Sequence, residues 1–428
     1  VKLLAYFIGI LILINLLAWR FSGKVRNHKV IAIFLLLLSL GLLCLNNGVV
    51  SNINEIIPLH FAKKKKFTEA LEQIGMANYV RKEDIKATVG KNIVVIVMES
   101  VEESFLKDNL AQVTPHMRRF SREMNYYNMK PSEGSDYTIG AIYTYLTGFP
   151  HFFKNHGNDI FAKPVDIKVN SISNALSKAG YNQLYLLGNP DFAGTRKMLN
   201  LMDIDVKSEE DYDPKYTLDY WGLHDKDLFD LAQQEIKGLK EKEAPFAFYL
   251  STISTHHPEG VLDRRMLKEF PNQKSNLELM VRSLDQHIND LVEFLKKENL
   301  LDNTAIYILP DHLLMGQASR VLNDFVEERE LFLITNADSK SYNPNESILQ
   351  IDVPRIILEG AEVETNLFFL SDIIEGDKLD FIKKNKHRIT QLNEAALTVF
   401  DEAARREKNK SKSKGFVKHK DVVYVKSQ

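Results

Sequence analysis

Glu99 and the pair Asp311-His312 each stand directly behind a run of apolar, β-type residues, NIVVIVM (92–98) and TAIYIL (304–309). Strands that end in such groups place hard carboxylate oxygens and an imidazole at the carboxyl edge of a sheet. In open α/β sheets that edge is where ligands bind. Two carboxylates and an imidazole converging there make a donor set for a divalent cation. Singly, each has a plainer reading: Glu99 as a first-turn acid favoured by a helix dipole, Asp311 as a helix cap, His312 as a packed histidine. Their common place behind buried strands is what favours a shared site.

The stretch PSEGSDYTIGAIYTYLTGFP (131–150) supplies a hydroxyl. Ser135 or Asp136 is expected to cap a helix whose first turn carries Thr138, with Gly140 and Ala141 small enough to let that turn approach another backbone. A hydroxyl at a helix N-terminus beside a cation has its alkoxide stabilised by both fields, and so can attack a phosphoryl group. Ser135 is the alternative nucleophile, and a capping or buried threonine is the plainer reading of Thr138. A further apolar run, PFAFYLSTI (245–253), leads into His256 and His257, placed to meet a substrate phosphate or protonate a leaving oxygen. Arg196 can hold a phosphate bidentately, and Trp221 can stack on a sugar or glycerol face. Either of these two serves equally well as a packing or surface residue.

These groups need a rigid frame. Apolar runs at 92–98, 182–187, 245–253, 304–309 and 330–335 alternate with helical patterns at 171–178, 226–237 and 277–297. That alternation predicts one α/β domain with a largely parallel sheet flanked by helices. A charged helix is expected from about residue 381 to Glu407, followed by a lysine-rich tail.

The chain has 428 residues and a formal net charge of −2, so no polybasic field points to nucleic acid as a partner. Its single cysteine, Cys44, excludes disulfides within the chain. Residues 1–19 and 30–50 are apolar runs long enough to cross a bilayer. Between them Arg20, Lys24, Arg26 and Lys29 form a short basic loop of the kind retained on the cytoplasmic side, which sends the following chain across. Lys63–Lys66 count against that orientation unless they face anionic headgroups. The expected organisation is two transmembrane helices (1–50), a juxtamembrane connector (51–90), the α/β domain (91–380), and a C-terminal helix with a basic tail (381–428).

In order, NIVVIVMES, SDYTIGAIYTYLTGFP, FAGTRKML, WGLHDKDLFD, STHHPEG and ILPDHLLMG resemble the sulfatase-like membrane transferases related to alkaline phosphatase. The resemblance covers roughly residues 91–360. It is closest to the phosphoglycerol transferase I branch, which modifies periplasmic glucans, and more distant to lipoteichoic acid synthases. Two spans are fewer than the several usual in that family. The resemblance implies an alkaline-phosphatase-like domain with a metal site of Glu99, Thr138, Asp311 and His312, holding manganese or magnesium, with zinc as the alternative. It implies that Thr138 takes phosphoglycerol from phosphatidylglycerol and passes it to a glycan acceptor, with His256 contacting the phosphoglycerol or leaving group. Arg196, Trp221, Asp225 and His257 fall at substrate-side positions. The implied location is the bacterial inner membrane, with the domain on the periplasmic side.

Three rival readings are separable. A true sulfatase needs a Cys or Ser converted to formylglycine in a Pro-containing motif ending in Arg, which YTIGAI lacks. A phosphoethanolamine transferase shares the metal and threonine logic, but such enzymes are often disulfide-rich. A catalytically inactive sulfatase-like scaffold is at odds with an intact Glu/Thr/Asp-His set.

Overall fold

The computed structural model describes residues 66–154, 157–212, 218–219, 221–315, 328–344 and 346–399. The apolar runs at 1–19 and 30–50 and the chain beyond 399 lie outside these residues. Among the described residues, no helix is long and apolar enough to cross a membrane.

The strands in chain order are β1 (Asn92–Met98), β2 (Asn125–Lys130), β3 (Val165–Ile167), β4 (Asn182–Leu186), β5 (Asp205–Lys207), β6 (Leu218–Asp219), β7 (Gly222–Leu223), β8 (Phe246–Ser251), β9 (Thr304–Pro310), β10 (Leu331–Thr335), β11 (Ile348–Leu349) and β12 (Leu397–Val399). Eight of them form one sheet in the order β11-β2-β10-β9-β1-β8-β4-β5. Only β10 in that sheet is antiparallel to its neighbours. The helices are α1 (Phe67–Ile74), α2 (Pro115–Glu123), α3 (Thr138–Thr147), α4 (Ile172–Lys178), α5 (Thr195–Leu201), α6 (Asp225–Lys240), α7 (Met266–Glu269), α8 (Asn276–Lys297), α9 (Val353–Gly360) and α10 (Lys378–Ala396).

The central strands read as unbroken apolar runs because helices cover both faces. In β1, Ile93, Val95 and Val97 pack under α1, α3, α4, α5, α9 and α10, while Val94, Ile96 and Met98 pack under α2, α6 and α8. β9 divides the same way, with Ala305, Tyr307 and Leu309 on the first face and Ile306 and Ile308 on the second. Register then sets the chemistry. Met98 pairs with Pro310 and Val97 with Ser251, so β1, β9 and β8 end side by side. The ladder runs one step further, with Asp311 N–H donating to Met98 C=O (2.9 Å) and Thr252 N–H to Val97 C=O (3.1 Å).

One expectation differs from the structure. The C-terminal helix stops at Ala396 rather than near Glu407, because Leu397-Thr398-Val399 leaves it to pair as β12 with β3. Ahead of β1, α1 sets Ala70, Leu71 and Ile74 into the core. Strand β2 (NYYNMK) does not read as an apolar run because only two of its six residues, Tyr127 and Met129, are fully buried.

The expected close approach at Gly140 is present. A Cβ there would lie 2.7 Å from the Gly134 carbonyl oxygen and 2.9 Å from Tyr137 Cζ. Alanine has the better helix propensity by about 1 kcal/mol, but overpacking costs about 1–3 kcal/mol. Gly140→Ala is therefore expected to lower stability in urea denaturation by up to about 2 kcal/mol. An unchanged or higher midpoint would show that the loop at Gly134 yields freely.

Candidate metal centre

Glu99, Asp311 and His312 leave the sheet at adjacent strand ends, with exposures of 2%, 1% and 1%. Each offers a ligand atom within 4.8 Å of the others. His312 Nε2 lies 3.4 Å from Asp311 Oδ2 and 3.7 Å from Glu99 Oε1. Thr138, the first residue of α3, brings its hydroxyl to 3.3 Å from Glu99 Oε2 and 3.4 Å from His312 Nε2. All four expected ligands thus share one space.

Local bonds aim each donor. Ser100 takes a left-handed backbone (φ 55°), which points its N–H at Asp311 Oδ1 (2.8 Å) while its hydroxyl donates to Glu99 Oε1 (2.7 Å). Strain of this kind in a non-glycine residue persists where the surroundings over-determine it. Asp311 Oδ1 also accepts the His312 N–H at 2.7 Å. His312 Nδ1–H donates to the Leu313 carbonyl (2.8 Å), leaving the Nε2 lone pair facing the cluster. Behind them the Glu102 carboxylate, with no exposed surface, accepts from Arg329 Nε (2.9 Å) and from the Leu314 N–H (3.1 Å). Neither Ser100 nor Glu102 is marked by sequence, since a backbone angle and a partner 227 residues away leave no local pattern.

Burial, reinforced by the Asp311 charge, pushes the Glu99 carboxyl well above the usual range, against hydrogen bonds from Ser100 and Thr138. Two buried carboxylates, one imidazole lone pair and one hydroxyl converging without a countercharge among the described residues fit a divalent cation.

His256 is half-buried, and its Nδ1–H donates to the His257 carbonyl (2.7 Å). Burial lowers its pKa, although the Asp311 charge acts in the other direction. Its ring stacks on that of His257 (4.7 Å) and lies tilted by 31° against that of Trp221 (4.4 Å), so three expected residues meet in one aromatic group. The loop carrying His256 is fixed to β1, because Thr252 Oγ accepts the Glu99 N–H (3.0 Å) and Thr255 Oγ donates to the Glu99 carbonyl.

The remaining expectations fare differently. Asp225 lies beneath this loop, where Oδ1 accepts the N–H groups of Ile253 (2.8 Å) and Ser254 (3.1 Å), and burial raises its pKa to about 6. Arg196 spans α5 and the β5 edge, donating to Ser208 Oγ (3.0 Å) and pairing with Asp191 and Glu210 at 3.8 and 3.7 Å. Those partners belong to its own edge of the sheet and not to the cluster. Ser135, the alternative nucleophile, is fully buried and bonded to the Thr144 hydroxyl (2.8 Å). Neither Ser135 nor Asp136 caps α3, because Tyr137 occupies that position without a side-chain bond.

Residues 91–357 match the profile of the family described as Sulfatase. The phosphoglycerol transferase I of Salmonella choleraesuis is 24% identical over 321 residues, covering 72% of this chain and 40% of that protein. The chain therefore spans less than half the length of that relative. The lipoteichoic acid synthase LtaP of Listeria monocytogenes superposes with a TM-score of 0.53 at 14% identity, over 77% of this chain and 82% of its own. Streptococcus pyogenes phosphoglycerol transferase GacH, solved with sn-glycerol-1-phosphate, gives 0.50 at 13% identity, over 83% and 96%. These structural likenesses establish the expected α/β architecture.

Glu99 generates a pH prediction. A carboxyl whose folded pKa is raised binds its proton more tightly when folded, so its ionisation erodes stability as pH climbs from about 4 through the folded value. Metal-free Glu99→Gln should accordingly melt higher than the parent at pH 8, with the gap closing near pH 4. In the variant, manganese should no longer raise the melting temperature. Parallel melting curves across that range would contradict the assigned shift.

Proposed function

This chain belongs to the sulfatase family, and from that premise we propose that it is a membrane-tethered phosphoglycerol transferase with Thr138 as nucleophile. The observation that carries the reading is the Thr138 hydroxyl, at the first position of α3 and within 3.4 Å of both Glu99 and His312. The name and sequence likeness of the phosphoglycerol transferase I relative support the choice of phosphatidylglycerol as donor.

Glu99, Thr138, Asp311 and His312 would hold a divalent cation, manganese or magnesium with zinc also compatible, which supplies Lewis acidity and offsets the clustered negative charge. The rest is done by this chain's own groups. Glu99 Oε2 accepts the Thr138 hydroxyl hydrogen and fixes where the Oγ lone pairs point. The α3 N-terminus favours negative charge developing on that oxygen. Thr138 Oγ attacks the lipid phosphorus and gives up its proton, the bond to the diacylglycerol oxygen breaks, and diacylglycerol leaves carrying one proton in exchange. The threonine phosphodiester is then attacked by a glycan hydroxyl, the bond from phosphorus to Thr138 Oγ breaks, and the proton lost by the glycan hydroxyl is replaced on Thr138 Oγ as it is released. With Nδ1 committed to the His257 carbonyl and its pKa lowered, His256 keeps a free lone pair on Nε2 at neutral pH. It is therefore better suited to accept the acceptor's proton than to protonate a leaving oxygen. The His256 ring is held by stacking on His257 and by the tilted contact with Trp221.

The apolar runs at 1–19 and 30–50, with the basic loop between them, support a place at the inner membrane with the domain outside. There, a lipid phosphodiester is an activated donor that needs no ATP.

The assay is diacylglycerol release from labelled phosphatidylglycerol with manganese, alongside phosphatidylethanolamine. Release from phosphatidylglycerol alone is expected, and Thr138→Ala should reduce it on the order of 10⁴-fold or more without altering the melting temperature. Release from phosphatidylethanolamine instead would transfer the assignment to a phosphoethanolamine transferase, and a folded, active Thr138→Ala would remove the nucleophile.

A further inference from the structure

Gln350 comes from the far edge of the sheet, between β11 and α9, and has no exposed surface. Its amide lies where the two halves of the cluster meet. Nε2 donates to the Ser135 carbonyl (2.6 Å), to the Asp311 carbonyl (2.9 Å) and, more weakly, toward the Tyr145 hydroxyl (3.3 Å). Oε1 accepts the Ser132 N–H at 3.1 Å and lies 3.4 Å from its hydroxyl. Tyr145 in turn donates to the Pro310 carbonyl (2.6 Å). One side chain thus binds the loop that leads into the Thr138 helix and the backbone of the turn that carries Asp311 and His312.

Among the contacts named so far, only those of Gln350 and of Tyr145, the latter from α3 itself, tie the Thr138 side of the cluster to the backbone of that turn. Thr138 meets Glu99 and His312 only through side-chain contacts of 3.3 and 3.4 Å, too long to fix a geometry by themselves. We infer that Gln350 is a positioning residue, holding the Thr138 hydroxyl and the Asp311–His312 pair in register for the cation. It touches none of the reacting atoms and acts through Ser135 and the Asp311 carbonyl. The inference rests on the metal reading of the cluster. Groups that orient metal ligands from behind typically change affinity by about 10–100-fold when altered.

Gln350→Glu tests this, because it keeps Oε1 for Ser132 and sets an oxygen against the Ser135 and Asp311 carbonyls. Calorimetric titration of the metal-stripped full chain with Mn²⁺ would compare the parent, Gln350→Glu and Leu291→Ala. The last is a core variant of α8, on the opposite helical layer, that loses melting temperature without touching the cluster. The expected result is Mn²⁺ binding weakened about 10–100-fold in Gln350→Glu and parent-like in Leu291→Ala. Affinity within twofold of the control would make Gln350 merely structural and overturn the inference. A parent that binds no Mn²⁺ would overturn the metal reading, and this inference with it. If Gln350→Glu does not fold, Tyr145→Phe takes its place, with a severalfold loss expected and an unchanged affinity counting against the inference.

Discussion

The site depends on register. Met98 opposite Pro310 and Val97 opposite Ser251 make three parallel strands stop at one level, so Glu99, Thr252 and Asp311 leave the sheet as neighbours. A slip of one residue would turn every side chain of a strand to the other face, and Glu99 would no longer meet Asp311. That slip is opposed by the whole of β1 and β9, whose residues are buried on both faces. The geometry of a few polar atoms is therefore set by packing much larger than the site.

Packing also makes the site costly. Glu99 and Asp311 are almost without solvent, and the charge of one disfavours ionisation of the other. Backbone N–H groups of Ser100 and His312 and the Ser100 hydroxyl relieve part of that, without supplying an opposite charge. A nearby pair shows the contrast: Glu102 is equally buried, but Arg329 neutralises it. One carboxylate is there to hold loops together and is paired. The other two have no such partner among the described residues, and with His312 they could hold a cation.

How much could be read from sequence follows from this. The strands β1, β4, β8, β9 and β10 announce themselves as apolar runs, and the polar residues just behind β1 and β9 could be assigned because a strand end fixes where they point. Thr138 was legible from the turn and helix around it. Gln350 was not, because a glutamine between a short edge strand and a helix has no pattern to mark its reach across 39 residues to Asp311. Arg196 was less legible for the opposite reason, since a guanidinium suits a phosphate equally well wherever it stands. Here Ser208, Asp191 and Glu210 engage it.

Helix α1 has a mechanical implication. It begins just after Lys66, and its buried residues Ala70, Leu71 and Ile74 lie in the layer that includes α10. A pull on the chain upstream of Lys66 would load α1 first, before reaching β1. Force applied there would thus be absorbed at the periphery, away from the strand ends.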